Sequence, residues 1–541
     1  MSGAEWPLPF EEAAYRSVAA GMDGDRPLEF ARLDLEPPAV TGNGKESLLS
    51  VDPRSARALA ERAFNALQHR LRPGFLAQLS AMAEAPAASE GERAALAALL
   101  SNARLAAEGV FPLCQDTGTA AVSVWRGERV LCNGLGDALA QGARDAWAAG
   151  RFRASQLALD PAGVERDSGD NAPLAVDTHL VPGNALRFLF SAKGGGSSNK
   201  TALFQETRRV LEPARLAAFI HAAVGSLGVS ACPPYRVVLV IGGQSPEETL
   251  KALKLACLGA LDALPSTGPS PCRDPQLESL VMDAASASGW GAQFGGRFLA
   301  RDARVIRLGR HAASLPVGLG VSCVAHRQAL AYADPSGWYL ERLAGPGDVP
   351  AVPAPRGGQA LRLDLGPGWV PPPGLKAGQL VALHGQVVLA RDAAHARLSR
   401  LLAEGSALPE WTRYPVYYAG PAGTPDGQVI GSLGPTTAKR MDSYCDELMG
   451  SGAFKVMIGK GERGHECRDA CARHGGVYLA AVGGAAALGA SRVRSATLLA
   501  WPELGMEAVR LVELDGLTAV VAIDPDGGDI YAGLPFSSQR R

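Results

Sequence analysis

The sequence predicts an α/β protein built from two domains. The chain has 541 residues, which exceeds the usual size of a domain with a single hydrophobic core. Apolar residues recur with helical spacing between residues 54 and 105, whereas the stretches 236–241, 380–389 and 477–481 are predicted to be strands. Prolines and glycines are concentrated between residues 344 and 376, which predicts a break between two folded units.

Several elements of the N-terminal part can be assigned from local patterns. The run KGGGSSNKT (193–201) is too rich in glycine for the interior of a helix or strand, and we expect a loop. Residues 245–248 read Ser-Pro-Glu-Glu, the N-cap, first-position proline and acidic first turn of a helix that continues to about residue 261. A second glycine-rich run (289–297) precedes a short strand at 304–308.

The C-terminal part alternates strands and helices, which favours a small α/β domain with partly parallel strand pairing. We therefore place an N-terminal domain at 1–343, a linker at 344–376 and a C-terminal domain at 377–541. The predicted elements after the linker are a strand at 380–389, a helix at 436–449, a strand at 454–458, a helix containing 468–473 and a strand at 477–481.

Composition and charge exclude several classes of function. Lys plus Arg (53) nearly balances Asp plus Glu (54), so no basic excess is available for nucleic acid or for an anionic membrane. No run of apolar residues is long enough to span a bilayer, and the first residues do not resemble a secretory signal. Nine scattered cysteines do not form a disulfide framework, and we expect a reducing cytoplasm.

Three cysteines share a setting that the other six lack. Cys114, Cys232 and Cys323 each lie near glycine or proline at the predicted end of an element, where the backbone can bend around a metal centre. Cys132 and Cys257 instead fall within apolar stretches. Separations of 118 and 91 residues match no local metal motif, so spacing alone leaves the alternative of three buried thiols open.

A second group resembles a zinc site. His465, Cys467, Cys471 and His474 lie close together, and the two cysteines are one helical turn apart. Here one histidine lies on each side of the cysteine pair. In zinc-finger sites, by contrast, a cysteine pair and a histidine pair are well separated in the sequence. We expect a helix end here rather than a zinc site.

Ten segments, in one order from about residue 111 to 529, resemble the class I fumarate hydratases, the oxygen-sensitive iron–sulfur fumarases. Several of these segments exceed ten residues, so the similarity is specific. The segments are PLCQDTGTA (112–120), GDNAP (169–173), AKGGGSSNKT (192–201), ACPPY (231–235), GAQFGGRF (291–298), RVIRLGRHAASLPVGLGVSC (304–323), YYAGPAGTPDG (417–427), GSLGPTTAKRMDSY (431–444), HGGVYLAAVGG (474–484) and ELGMEA (503–508).

The resemblance implies a two-domain fumarase architecture with the active site between a larger and a smaller α/β domain. It implies a [4Fe–4S] cluster held by Cys114, Cys232 and Cys323. Three cysteine ligands leave one iron open to act as a Lewis acid. It also implies a small dicarboxylate substrate, fumarate or malate. The planar guanidinium group of arginine can bind a carboxylate through two parallel hydrogen bonds. The implied substrate-binding residues are Gln115, Arg153, Gly196, Asn199, Lys200, Thr201, Gln205, Arg391, Thr437, Arg440 and Lys460.

Proton transfer is assigned by the same resemblance. Thr436 corresponds to the base that removes the carbon-bound proton, and Asp116 and His311 correspond to a pair near the leaving hydroxyl. A plain N-cap role for Thr436 is the alternative. An alkoxide on Thr436 would need nearby cations and the dipole of a helix N-terminus.

The expected reaction is the reversible hydration of fumarate to (S)-malate by a homodimer. A related hydro-lyase acting on L(+)-tartrate or mesaconate is the first alternative. In tartrate enzymes of this type, however, the counterparts of the two halves of this chain are separate subunits, so the fused chain favours a fumarase. A non-catalytic iron–sulfur sensor is the second alternative, and it predicts the loss of residues such as Thr436 or Arg440, which are both present.

Overall fold

The computed structural model describes residues 9–23, 26–42, 47–353 and 360–535. The first six residues, used above against a secretory signal, lie outside these ranges, and so does part of the linker, 354–359. Within the described ranges, no helix has both the length and the apolar character that crossing a bilayer requires.

The helices are distributed along the whole chain and alternate with strands. Short 3₁₀ segments occur at Arg208–Leu211, Pro346–Asp348, Glu410–Arg413, Ala438–Tyr444 and Pro502–Glu507. The α-helices are α1 (Phe10–Ala20), α2 (Pro53–His69), α3 (Pro73–Glu84), α4 (Glu90–Ala107), α5 (Leu135–Ala149), α6 (Gly195–Ser198), α7 (Pro213–Gly225), α8 (Pro246–Cys257), α9 (Pro275–Ala287), α10 (Asp392–Ala403), α11 (Cys445–Gly450), α12 (His465–His474) and α13 (Ala486–Ser491).

The strands form three larger sheets and several small ribbons. They are β1 (Met22–Asp23), β2 (Arg26–Pro27), β3 (Phe30–Leu33), β4 (Ala39–Thr41), β5 (Leu48–Ser50), β6 (Thr119–Gly127), β7 (Val130–Leu131), β8 (Leu157–Leu159), β9 (Glu165–Asp167), β10 (Ala175–Val181), β11 (Leu186–Lys193), β12 (Ala202–Glu206), β13 (Tyr235–Gly243), β14 (Cys272–Arg273), β15 (Ala300–Arg310), β16 (Leu315–Ser322), β17 (Gln328–Asp334), β18 (Gly337–Glu341), β19 (Leu361–Leu365), β20 (Leu380–Leu389), β21 (Val416–Tyr417), β22 (Val456–Gly459), β23 (Val477–Ala481), β24 (Val493–Ala500) and β25 (Val509–Ile523).

Two mixed sheets make up the N-terminal domain. One has the order β10-β6-β11-β17-β18-β3, and the other has the order β12-β16-β13-β15-β14. Strands β13 and β16 are buried along their whole lengths because helices cover the second sheet, and apart from Arg236 and Ser322 both consist largely of apolar residues and glycine. The loop before β13 and the end of β16 carry two of the candidate cysteine ligands.

The C-terminal domain is built on one sheet of order β19-β20-β21-β22-β23-β25-β24. The long strand β25 also pairs with β20, which closes β20, β21, β22, β23 and β25 into a ring. The pairs β21–β22 and β22–β23 are parallel, so the prediction of partly parallel pairing is confirmed. The loops that leave the carboxyl ends of β21 and β22 face the N-terminal domain.

Most of the predicted strands are present with nearly the predicted bounds. The strands at 380–389 and 477–481 coincide with β20 and β23, and the strand at 236–241 lies inside β13. Ser245 caps α8 as predicted, because its hydroxyl accepts a hydrogen bond from the N–H of Glu248. The Ala- and Leu-rich region 54–105 forms α2, α3 and most of α4.

Two predictions are wrong. Residues 436–449 are not one helix: Thr436 and Thr437 are extended, a 3₁₀ segment follows, and α11 begins only at Cys445. The linker interpretation is also too broad, because Leu361–Leu365 forms β19 and pairs in parallel with β20. Leu363 and Leu365 are buried in the C-terminal core, so burial of alternate side chains outweighs the surrounding prolines.

The largest buried cluster of apolar side chains runs through both domains. It includes Leu99 and Val237 from the N-terminal domain together with Tyr418, Met457 and Tyr478 from the C-terminal domain. The two domains therefore meet through a shared apolar core, which holds the loops at their junction in fixed positions.

Candidate active site

A cavity of about 380 Å³ lies at the junction of the two domains. It contains most of the residues that the sequence singled out. From the N-terminal domain it is lined by Cys114, Gln115, Asp116, Arg153, Gly194, Gly195, Gly196, Ser197, Asn199, Lys200, Ser230, Ala231, Cys232, Cys323, Ala325 and Arg327, and from the C-terminal domain by Arg391, Thr436, Thr437, Arg440, Lys460 and Gly484.

The three candidate ligand cysteines converge on this cavity from three separate loops. Cys114 lies in the loop between α4 and β6, Cys232 lies between α7 and β13, and Cys323 directly follows β16. Cys232 has a left-handed backbone with φ of +63°, an unusual conformation for a residue other than glycine. Burial raises the pKa of the Cys232 thiol to about 11, so a nearby positive charge is needed to favour its thiolate.

Glycines from the C-terminal domain leave room beside Cys232. A Cβ atom added to Gly483 would lie 2.5 Å from the Sγ of Cys232, and one added to Gly484 would lie 2.4 Å from Val324. Among the described residues that line the cavity, no fourth cysteine is present. Three soft sulfur donors without a fourth fit an iron–sulfur cluster that keeps one iron open better than they fit a closed metal site.

Asp116 is held as a carboxylate beside the glycine-rich loop. Its Oδ2 accepts a hydrogen bond from the N–H of Gly195 (2.8 Å), and its Oδ1 accepts one from the N–H of Gly118 (3.1 Å). Burial opposes the charge, but Arg153, Arg327 and these two N–H groups outweigh burial and leave the pKa of Asp116 below its usual value. Asp116 is therefore ionised at neutral pH.

Arg327 also lines the cavity, although the sequence analysis did not single it out. Its side chain is buried and donates hydrogen bonds to the Oε1 of Gln68 (3.0 Å) and to the carbonyl oxygen of Asp116 (2.8 Å). Gln68 in turn donates to the carbonyl oxygen of Thr117. In the sequence, the feature that could have pointed to Arg327 is its position four residues after the candidate ligand Cys323.

Two arginines of the C-terminal domain reach the same cavity. Arg391 precedes α10, is buried, and lies 3.2 Å from Glu507. Arg440 belongs to the 3₁₀ segment after Thr437 and lies 3.0 Å from Asp392. Burial lowers the pKa of Arg391, although Glu507 works against this change. The guanidinium of Arg391 remains charged at neutral pH because arginine starts from so high a pKa.

Thr436, Thr437 and Lys460 are fixed by backbone pairing. The N–H of Thr436 donates to the carbonyl oxygen of Tyr418 (2.7 Å), and the N–H of Lys460 donates to the carbonyl oxygen of Thr436 (3.1 Å). The hydroxyl of Thr437 donates to the carbonyl oxygen of Ser230, close to Cys232. Thr436 is not the N-cap of a helix, so its hydroxyl has no capping role.

A buried amide, Gln293, joins the loops on either side of Cys232. Its Nε2 donates to the carbonyl oxygens of Pro233 (3.1 Å) and Gly483 (3.0 Å), and its Oε1 accepts from the N–H of Gly483 (2.7 Å). The carboxylate of Glu92, which is fully buried, accepts from the N–H groups of Arg297 and Phe298 and fixes the loop that carries Gln293.

Sequence reasoning did not single out Gln293, although it lies in one of the segments that carry the resemblance. Asn102 has a similar role, because its Nδ2 donates to the carbonyl oxygens of Leu113 and Gly484 and its Oδ1 accepts from the N–H of Leu488. Both amides connect the N-terminal loops to the C-terminal domain.

Three of the expected site residues are not among those lining the cavity. Thr201 faces a neighbouring cavity that also contacts Cys323, and Gln205 is an exposed residue of β12. His311 is exposed in the turn between β15 and β16, and β16 separates it from Cys323 by roughly 25 Å. Within the described part of one chain, His311 is therefore not brought to Asp116.

The zinc-like group does not converge on one point. Cys467 and Cys471 are buried on the inner face of α12, whereas the side chain of His465 is largely exposed. Cys467 instead approaches Asp442 and Cys445, with ligand atoms within 4.8 Å of one another. The guanidinium of Arg463 pairs with Asp442 and contacts the Sγ of Cys445, so a protein cation already serves this cluster.

Two family models match the chain and together cover most of it. The model described as fumarate hydratase matches residues 57–332, and the model described as the fumarase C-terminus matches residues 373–534. The two matches correspond to the two domains on either side of the cavity.

Three similar proteins illustrate the relationship. Fumarate hydratase 2 of Leishmania major is 43% identical over 90% of this chain and 88% of its own length. The anaerobic class I fumarate hydratase of Escherichia coli K12 is 41% identical over 93% of this chain and 94% of its own length. A putative L(+)-tartrate dehydratase subunit beta of Methanocaldococcus jannaschii is 36% identical over only 29% of this chain, although over 84% of its own length.

Proposed function

The chain belongs to the class I fumarate hydratase family of hydro-lyases, and from this premise we propose that it catalyses the reversible hydration of fumarate to (S)-malate in the cavity between its domains. Cys114, Cys232 and Cys323 would hold a [4Fe–4S] cluster there. When bound, this cluster supplies Lewis acidity at the iron that the three cysteines leave open.

One observation carries the proposal. Three cysteines from distant loops and cationic side chains from both domains line a single cavity. Among the described residues, one carboxylate, that of Asp116, lines the cavity, and the carboxylates of Asp392 and Glu507 pair with two of the arginines. The cationic side chains are more numerous and are Arg153, Lys200, Arg327, Arg391, Arg440 and Lys460.

The charge excess suits a small dianion. Arg391 and Arg440 can each present two parallel N–H groups to a carboxylate, while Lys460 contributes a compact charge near Cys232. Fumarate carries two carboxylates at its ends, so clamps on both domains would hold the carbon–carbon double bond between them. This arrangement supports binding of an extended diacid.

Two oxygen atoms of the chain can move the protons of the reaction. In the hydration direction, the carboxylate of Asp116 accepts a proton from the attacking water, because it is already ionised. The Oγ1 of Thr436 supplies a proton to the neighbouring carbon, and the charges of Arg440 and Lys460 favour the resulting alkoxide. The proposal assigns no step to His311, since it lies away from this cavity in the chain.

Anaerobic reconstitution with iron and sulfide tests the proposal directly. We expect the reconstituted protein to hydrate fumarate faster than it dehydrates L(+)-tartrate or hydrates mesaconate. Preference for tartrate would replace the proposed substrate. Full activity after prolonged aerobic treatment with an iron chelator would contradict the proposed cofactor.

The homodimer is implied by the resemblance, and the cytoplasmic location is expected from the scattered cysteines; both are part of the proposal. Light scattering of the purified protein measures the first, and fractionation of the source cells measures the second. If the active protein is a monomer by light scattering, a dimer is not required for activity.

A further inference from the structure

Arg153 reaches the cavity between the domains, called the catalytic cavity from here on, from a segment without regular secondary structure. Residues 152–156 belong to neither a helix nor a strand and connect α5 to β8. Helical or sheet hydrogen bonding therefore does not fix the position of this segment. Two buried side chains from other parts of the N-terminal domain, those of Asn171 and Thr117, hold it instead.

Asn171 connects this segment to the loop that carries Asp116. Its Nδ2 donates to the carbonyl oxygen of Gly118 (3.0 Å), and its Oδ1 accepts from the N–H of Ser155 (3.0 Å). These two partners require a donor and an acceptor on one side chain, which a carboxamide provides and a carboxylate does not. The backbone of Asn171 is also left-handed, with φ of +60°, and asparagine tolerates this conformation better than most residues.

The hydroxyl of Thr117 holds the same segment at Arg153 itself. The Oγ1 of Thr117 donates to the carbonyl oxygen of Arg153 (2.7 Å), and the indole of Trp147 makes a longer hydrogen bond to the same oxygen (3.4 Å). Thr117 is completely buried, and its own carbonyl oxygen accepts from Gln68. The described residues that line the catalytic cavity include neither Thr117 nor Asn171. Both side chains can therefore act on a bound diacid through Arg153 rather than by contact.

These hydrogen bonds close a ring that ends at the proposed proton acceptor. The Oδ1 of Asp116 accepts from the N–H of Gly118, whose carbonyl oxygen accepts from Asn171. Beyond Asn171 and Ser155, the Nη2 of Arg153 returns to within 3.7 Å of the Oδ1 of Asp116. This separation is longer than a hydrogen bond, so Asp116 attracts the guanidinium without occupying its N–H groups. Those N–H groups can bind a carboxylate of the substrate.

We propose that Asn171 and Thr117 are positioning residues that fix the guanidinium of Arg153 for binding one carboxylate of the diacid. This inference rests on the proposed function, because it explains how one clamp of that site is held. A long side chain that becomes ordered only on binding reduces the affinity, and a clamp that is already ordered avoids this loss. The Arg153 side chain is only 15% exposed, and its fixed backbone limits the positions that the guanidinium can reach.

Steady-state kinetics of the anaerobically reconstituted enzyme test the proposal. Asn171→Gly removes the carboxamide, and glycine adopts the left-handed backbone without strain. Thr117→Val removes the hydroxyl at similar volume, whereas Thr117→Ser retains it. We expect Asn171→Gly and Thr117→Val each to raise KM for fumarate by about tenfold or more and to change kcat by less than about threefold, because they weaken substrate binding. Thr117→Ser should restore most of the wild-type KM, and a lower kcat at unchanged KM in Asn171→Gly and Thr117→Val would contradict the proposal.

A double-mutant cycle separates the positioning of Arg153 from a general structural effect. In an Arg153→Gln background, Asn171→Gly should change kcat/KM by less than about twofold, because its effect passes through the missing guanidinium. Losses that multiply in the double variant would overturn the proposal. Asn133→Gly, which changes an exposed asparagine in the turn before α5, is the control and should leave both constants unchanged. Iron content per chain checks cluster loading in every variant.

Crystal structures of the variants provide a measurement that does not depend on activity. We expect the guanidinium of Arg153 to move by about 1 Å or more in Asn171→Gly and to stay in place in Thr117→Ser. Circular dichroism checks folding, and Thr117→Val serves if Asn171→Gly does not fold. An unmoved guanidinium in Thr117→Val and in any folded Asn171→Gly would contradict the positioning role. A wild-type protein that is inactive on fumarate, together with a displaced Arg153 in the variants, would contradict the proposed function alone.

Discussion

The Nζ of Lys460 lies 2.9 Å from the Sγ of Cys232, although the two residues are 228 positions apart and belong to different domains. The C-terminal domain thus supplies a cation directly to a candidate ligand of the N-terminal domain. Neither domain contains the complete site, because the cysteines come from one and several of the clamps come from the other.

We expect Lys460→Met to lower kcat/KM for fumarate by about 10²-fold or more, because a preorganised charge in a cavity stabilises developing negative charge strongly. Steady-state kinetics of the reconstituted variant measure the effect. Lys455→Met is the matched control, because Lys455 precedes the same strand but does not line the catalytic cavity. Equal losses in both variants would contradict the assigned role.

Replacing a candidate ligand should remove the cluster, whereas replacing a core cysteine should not. We expect Cys323→Ser to lose the visible absorbance of the reconstituted protein and Cys467→Ser to retain it. Cys467 lies on α12 away from the catalytic cavity, and its replacement should affect mainly stability. Iron and sulfide analyses quantify both variants, and loss of iron from Cys467→Ser alone would reassign the ligands.

Gly483→Ala should prevent normal cluster assembly. The added Cβ would lie 2.5 Å from the Sγ of Cys232, a distance that forces the backbone or the sulfur to move. Gly136→Ala in α5 is the control, because no atom beyond its chain neighbours and the backbone of its own helix lies within 4 Å of its added Cβ, and alanine favours a helix by roughly 1 kcal/mol. Iron content per chain is the measurement, and normal iron content in Gly483→Ala would show that the glycine is not required.

Gln293→Ala should destabilise the domain junction by about 2–4 kcal/mol, because it leaves buried groups of Pro233 and Gly483 without their partner. The control is Gln379→Ala, which removes an exposed amide side chain of the C-terminal domain. Urea unfolding of the cluster-free protein gives the stability, and iron retention gives the effect on the site. A stable variant that retains its iron would show that Gln293 does not position Cys232.

Asp116 should contribute stability that disappears in acid. Its pKa in the folded protein lies below the usual 3.8, so at pH values between the two the unfolded chain binds more protons than the folded chain. This contribution is present above about pH 4 and falls as the pH drops through the lowered folded pKa. The difference in free energy of unfolding between wild type and Asp116→Asn should therefore shrink from pH 6 to pH 3, and a constant difference would contradict it.

The same substitution tests the proposed proton acceptor. We expect Asp116→Asn to reduce kcat by about 10²–10⁴-fold, because an amide cannot accept the proton of the attacking water. The loss should be similar from pH 6 to pH 8, since Asp116 is ionised throughout this range. A loss confined to acidic pH would point to another group.

Much of the fold could be predicted because its signals are local. Strand β23 is a continuous apolar run, β20 is apolar at both of its ends, and α8 is capped by a serine and begins with a proline and two glutamates. The helix predicted at 436–449 failed because Tyr418 and Lys460 take the backbone groups of Thr436 into an extended pairing. A short window of sequence contains neither of those partners.

The sequence by itself determined the family, the cysteines and arginines available for chemistry, and the loops that could carry them. Only the tertiary structure decided which of these residues meet: it brings Lys460 to Cys232, adds Arg327 and Gln293 to the site, and leaves His311 at the far end of β16. The reason is physical. Helix caps and strand patterns depend on neighbours a few residues away, whereas a cavity between domains depends on how distant elements pack against one another.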